Sequence, residues 1–303
     1  MKKIFLITFL IFFANDNFSQ ANLLNAKNPL EIGDPSSSSK AITEFVDYEN
    51  VEDKNILWSK VVYEFIDLNE KLNFPLLFPV NDTKYDDTRK SLWRIIRENI
   101  ENGKISEVYD SNNDNFTEAS RIIGTDSTDF EANIYKNYNI SDIYKSKFIP
   151  ESFVPREIAS SADIFGYVIK GVWYFDKIHA ELRYRLLAIQ PYGTDLKTSV
   201  DGEETETGYF WIWYPSIREI LDDHLVFNDK NNNNRVSFDE LLINRRFSSY
   251  IYKYDNVYGD REIRDYIRQR DNESYSQWQT RIVMESERIK KEILDFEIDM
   301  WGY

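Results

Sequence analysis

Near residue 163 the spacing of apolar side chains changes from a helical repeat to strict alternation, and that change limits what the chain can fold into. GYVIKGVWYFDK is dense in Val, Ile, Trp, Tyr and Phe. In HAELRYRLLAI, Leu182, Tyr184 and Leu186 alternate with Glu181, Arg183 and Arg185. Such alternation marks strands with one wet face, and the two runs predict an antiparallel pair. A third strand is expected in YFWIWYP, 209–215, after the acidic, glycine-flanked excursion GTDLKTSVDGEETETG. Pro215 is then placed to open a helix at SIREILDDHL.

Helices are expected on either side of these strands. Ile56, Leu57, Val61, Phe65, Leu68 and Leu72 recur at helical spacing and predict an amphipathic helix over 54–72, stopped by Pro75 and Pro79. Asp87 or Thr88 can cap a second helix, TRKSLWRIIRENIENG, whose Leu92, Ile95, Ile96 and Ile100 share a face and whose stop is Gly103. A short helix is expected over 260–268. A long one is expected in SYSQWQTRIVMESERIKKEILDFEIDMW, with Trp278, Ile282, Met284 or Glu285, Ile289, Ile293 and Phe296 on one face. The expected class is α+β: a helical N-terminal part, a small antiparallel β-sheet in the middle and a helical C-terminal part. Aromatic residues form 16% of the chain, enough to build a substantial core.

The first residues, MKKIFLITFLIFFANDNFSQ, have the grammar of a secretory signal. Lys2 and Lys3 precede an apolar run from Ile4 to Ala14, which is too short to span a bilayer, a task needing about 20 residues. Residues 1–19 are therefore expected to be a signal peptide. Residues 20–53, rich in Asn, Ser, Pro and acids, are expected to be a flexible linker or an arm ordered by a partner, and 54–303 a single α+β domain. No later segment has membrane-spanning length. The chain has no cysteine, which excludes disulfides, thiol catalysis, zinc–thiolate sites and a cysteine-linked lipid anchor. A formal charge of −15 repels nucleic acid and anionic lipid, and it keeps an exported protein in solution.

Catalytic signatures are sparse. The two histidines, His179 and His224, are not spaced as a zinc pair, and no phosphate-cradling glycine loop or nucleophile elbow occurs. No pair of the plentiful carboxylates is singled out by the sequence. The chain is read as a non-enzyme with no cofactor. One stretch does resemble a metal loop. In DKNNNNRVSFDE, Asp229, Asn231, Asn233, Ser237 and Glu240 fall on EF-hand positions one, three, five, nine and twelve. Asn234 replaces the usual turn glycine, only Asp229 and Glu240 bring charge, and Asn244, Arg245 and Ser248 interrupt the helix face that should follow. A turn leading into a helix capped by Ser237, with Glu240 reaching back, fits better. Weak calcium binding by a periplasmic protein is kept as the alternative.

ILWSKVVYEFIDLNEKLNFPLLFP, RKSLWRIIRENIENG, IKGVWYFDK, RYRLLAIQPYG, FWIWYPSIREIL and FDELLINRRFSSYIYKYDNVYGDREIRDYI together resemble the GldN/PorN family of gliding-motility and type IX secretion proteins of the Bacteroidetes, over roughly residues 54–301. The resemblance implies a non-enzymatic periplasmic subunit held at the inner face of the outer membrane. It implies a ring shared with a GldK/PorK-like outer-membrane lipoprotein, self-association within that ring, and coupling to the inner-membrane GldL and GldM/PorM-like motor components. Within the chain, FSSYIYKYDNVY and the arginines before it have the composition of interface anchors. Arg245, Arg246, Tyr250, Tyr252 and Tyr254 are the candidate assembly residues.

Overall fold

The computed structural model describes residues 45–81, 89–121, 159–194, 206–227 and 236–301. Within them the class is α+β, built around a seven-stranded antiparallel sheet. Its strands are β1 (Ile56–Asp67), β2 (Tyr109–Asp110), β3 (Ile164–Asp176), β4 (Glu181–Thr194), β5 (Glu206–Gly208), β6 (Phe210–Trp213) and β7 (Tyr250–Tyr254). They lie in the order β2-β6-β4-β3-β1-β7, with β5 paired to the end of β4. The helices are α1 (Phe74–Leu77), α2 (Leu92–Glu101), α3 (Arg218–Asp222), α4 (Phe238–Ile243), α5 (Ile263–Tyr266) and α6 (Tyr275–Trp301).

The largest departure from the sequence reading is β1, which stands where a helix was expected over 54–72. Val61, Val62, Tyr63, Phe65 and Ile66 are β-branched or aromatic residues that suit a pleated surface. Both faces of the strand are covered, so apolar side chains occur on each side and the alternation is hidden. The residues that matched a helical repeat fall on different faces, and Leu57 and Leu72 are exposed. Because β1, β2, β5 and β7 join the three strands expected, the sheet has seven.

The expected β3–β4 pair forms, with Asp176 opposite Glu181 at its turn. Lys170 pairs with Ala188 but Gly171 pairs with Leu186, so Leu187 is an extra residue on β4. This bulge moves the inward set from Leu186 to Ile189, both buried. Gly171 is required here, because a Cβ would run into the Tyr184 ring.

One side of the sheet is packed by helices. Ile66, Tyr167, Ile169, Ile189 and Ile212 meet Leu92, Trp93, Ile95 and Ile96 of α2 and Leu221, Phe238 and Leu242 of α3 and α4. The start of α2 is capped by Ser91, whose hydroxyl accepts from the Arg94 N–H at 3.1 Å. Asp87 and Thr88 lie outside the described residues. The helix ends as expected at Gly103, which adopts φ +71° after Asn102.

The long helix α6 packs on the same side beside β7. Its inner row is Ile282, Ser286, Ile289 and Ile293, with Val62, Ile251 and Tyr254 opposite. Trp58 stacks on Phe296 at 4.6 Å between ring centres. Ser286 was not foreseen in this row. Its hydroxyl accepts from the Ile251 N–H at 2.8 Å, and Lys290 donates to the Ser249 carbonyl at 2.7 Å. The edge strand is thus covered by a helix that also answers its polar backbone groups.

Candidate functional site

The other side of the sheet is aromatic. Tyr63, Val168, Ala188 and Trp211 are buried there, ringed by the partly covered Val61, Phe65, Tyr109, Phe116, Tyr192, Trp213 and Tyr252. No described helix lies over it. It is crossed instead by residues 111–118. The Ser111 carbonyl accepts from Gln190 and Trp211, both at 3.2 Å, and Phe116 sits edge-on to Trp213 at 5.2 Å. Asp114 is the lock. Lys253 meets its carboxylate at 3.0 Å, Lys170 donates to its carbonyl at 2.9 Å, and both ammonium groups lie over the Tyr63 ring, 4.4 and 5.2 Å from its centre. Burial pushes the Asp114 pKa up, but hydrogen bonds from Tyr63 and Lys253 and the charges of both lysines outweigh it, so the carboxyl titrates below its ordinary value. Burial lowers the Lys170 pKa, the Lys253 charge adds to that, and Asp114 opposes.

A second polar knot joins α3, α4 and the segment before β1. Arg218 meets Asp239 at 3.0 and 3.2 Å, and Tyr214 donates to the same carboxylate at 2.8 Å. Burial raises the Asp239 pKa, and the bonds from Arg218 and Tyr214 pull against it. The outer face of Arg218 is covered by Tyr48, with the guanidinium 4.1 Å from the ring centre, and Arg218 also donates to the Val46 carbonyl at 2.7 Å. Tyr48 donates to the Leu186 carbonyl at 3.1 Å. Residues 45–49, part of the stretch expected to be an arm to residue 53, therefore lie against this chain's own sheet and helices. Residues 20–44 are outside the described residues, as is the leader.

Both histidines have local partners. His179 Nδ1 lies 2.7 Å from Asp176, itself 3.5 Å from Arg183, and His224 donates from Nδ1 to the Ile220 carbonyl at 2.8 Å. Among the described residues no group of three or more His, Cys, Asp or Glu is placed to hold a metal ion.

Of the calcium candidates, Asp229, Asn231 and Asn233 are outside the described residues. The two ends of that stretch are tied together, with Val226 N–H donating to the Val236 carbonyl at 2.9 Å and Phe238 N–H to the His224 carbonyl at 3.1 Å. Ser237 is buried and caps α4, accepting from the Glu240 N–H at 3.0 Å. Glu240 does not complete a capping box; its carboxylate pairs with Arg246 at 3.2 Å.

The candidate assembly residues separate into two groups. Arg245 points inward, donating to both oxygens of buried Glu64 and lying 4.2 Å from the centre of the Tyr184 ring. Tyr254 is buried against α6. Tyr250 and Tyr252 are half-buried on the aromatic side, beside Phe65 and Tyr63 respectively. Arg246 is exposed.

Among the described residues no helix is long and apolar enough to cross a membrane. The family model described as gliding motility associated protein GldN matches residues 51–302. No curated protein matches the chain.

Proposed function

The chain belongs to the GldN family, whose members are structural components of gliding motility and type IX secretion and not a known enzyme family, and from that premise we propose a scaffold role in the periplasm. The subunit is exported by residues 1–19, carries an arm over 20–53 whose residues 45–49 are laid against the domain, and works through the domain of 54–303. It sits at the inner face of the outer membrane. There it forms a ring with a GldK/PorK-like lipoprotein and further copies of itself, and it couples that ring to a GldM/PorM-like motor component.

The observation that supports this reading is the reach of the family match, residues 51–302, which takes in the whole described fold from β1 through α6. Of the candidate assembly residues, Arg246, Tyr250 and Tyr252 are the ones open enough to meet a partner, since Arg245 and Tyr254 are engaged inside the domain. Purification of the tagged chain from cell envelopes in mild detergent tests the proposal. A stoichiometric lipoprotein partner and ring-shaped particles are expected. A chain that arrives alone and monomeric would overturn it.

A further inference from the structure

Helix α6 carries a second ordered row on the side away from the core. Its buried residues are Ile282, Ser286, Ile289 and Ile293. On the opposite side Gln277, Thr280, Met284, Glu287, Lys291, Leu294, Ile298 and Trp301 follow one another at alternating steps of three and four, and all are exposed. Met284 is 64% exposed, Leu294 51%, Ile298 66% and Trp301 68%, values that place large apolar side chains in water. Steps of three and four are the seam of a helix that pairs with another helix. Nothing in the described fold covers this seam.

The seam's chemistry selects its occupant. Its centre is Glu287 and Lys291, bounded by Met284 on one side and Leu294 on the other. When a second copy runs antiparallel, with a two-fold axis level with Ile289, Glu287 faces Lys291 of the copy and Lys291 faces its Glu287. Met284 and Leu294 face each other on both sides of that charged centre, and Thr280 faces Ile298. A parallel copy would set Glu287 on Glu287 and Lys291 on Lys291, which is repulsive. The steps of three and four read the same after reversal, and the charged centre with its flanking Met284 and Leu294 is self-complementary, as a two-fold interface requires; at the ends Gln277 faces Trp301. Glu287 meets Lys290 of its own helix at 3.0 Å, an exposed pair of the kind that contributes little and can exchange.

We propose that the outer face of α6 is a self-association surface on which two copies of this chain pair antiparallel through Met284, Glu287, Lys291 and Leu294. The pairing goes beyond the scaffold reading. A two-fold contact closes on itself and cannot alone make a ring, so it adds a dimeric step, and it stands whether or not the secretion role holds.

The chain has no cysteine of its own, which gives a direct test. Full chains carrying Met284→Cys or Leu294→Cys are expressed, purified as the cell processes them, and mildly oxidised singly and mixed. Disulfide dimers are expected in the mixture and not in either variant alone. Dimers from a single variant, or none in the mixture, overturn the pairing. Charge reversal supplies a second readout by sedimentation. Glu287→Lys or Lys291→Glu should each weaken self-association by about tenfold. The double exchange should return it to within about threefold of the parent chain. A chain that sediments as a monomer at micromolar concentration, with α6 helical by circular dichroism, leaves the seam to some other partner and overturns the proposal.

Discussion

Arg245 donates to both oxygens of Glu64, at 2.9 and 2.6 Å, across 181 residues of chain. Ser249 adds a hydroxyl at 2.5 Å, and the pair ties the end of α4 to the middle of β1. Arg245 holds φ +51° and follows Asn244, the residue that caps the end of α4. Its N–H bonds the Leu242 carbonyl and the Arg246 N–H bonds the Leu241 carbonyl, the left-handed stop usually built from glycine. A backbone position that favours glycine is thus filled by arginine, because the guanidinium has a buried carboxylate to reach.

Arg245→Ala should therefore destabilise the fold by about 3–5 kcal/mol, the range for stranding one partner of a buried ion pair. Arg245→Gly loses the same pair but relieves the left-handed strain, and should be less damaging by about 1 kcal/mol. Urea unfolding of the two variants checks the order. Equal losses would mean that the backbone strain is not felt.

Ser286→Ala leaves the Ile251 N–H without its side-chain acceptor at a buried edge. A loss of about 1–3 kcal/mol is expected, as for other buried donors left unmet. Hydrogen exchange at the Ile251 amide should accelerate while amides along β3 and β4 keep their protection. Unchanged exchange at Ile251 would place its acceptor elsewhere.

Gly171→Ala puts a methyl group into the Tyr184 ring, and crowding of this kind costs about 1–3 kcal/mol. Combining it with Tyr184→Leu should recover part of the loss. A lower melting temperature for the single variant that the pair does not improve would show that the obstacle is not the ring.

Acid should release residues 111–118 before the whole fold is lost. The Asp114 carboxyl titrates below its ordinary value in the folded chain, so its contribution is present above the unfolded-state pKa and disappears as pH falls through the lower, folded one. That window lies below about pH 4. Asp239 has the opposite sign: burial raises it, and its contribution diminishes as pH rises through the ordinary carboxylate range toward the folded pKa. A local readout separates the two. Trp211 and Trp213 lie beside Phe116, so tryptophan fluorescence should change in this acid window, and Asp114→Asn should remove the transition.

The legible parts of the sequence were those with an unambiguous local signal. In the first half of β4, Glu181, Arg183 and Arg185 alternate with Leu182, Tyr184 and Leu186; β3 and β6 are dense in β-branched and aromatic residues; Gly103 stops α2; and the inner row of α6 repeats at helical spacing. β1 misled, since helices cover one of its faces and residues 111–118 meet the other, and its apolar residues also fit a helical repeat. Ser286 was hidden for a different reason. A serine in a buried row carries no hydrophobic signal, and its role appears only when the strand that donates to it is placed alongside. The tyrosines of β7 looked like anchors by composition, yet composition cannot tell a residue packed against α6, such as Tyr254, from one on the open side, such as Tyr252. The outer seam of α6 was legible in principle at alternating steps of three and four, but it competes with the inner row on the same helix.

β1 comes first among the strands in sequence yet lies inside the sheet, between β3 and β7. A nascent chain leaves its maker N-terminus first, so β1 emerges with both edges open and no neighbour to take either. One edge must wait for residues 166–176 and the other for residues 250–254. Pairings this distant in sequence form slowly, and an apolar strand kept waiting is prone to join the wrong chain. Completion of the fold is thereby tied to arrival of the whole chain, and a product truncated before Tyr250 keeps a sticky edge.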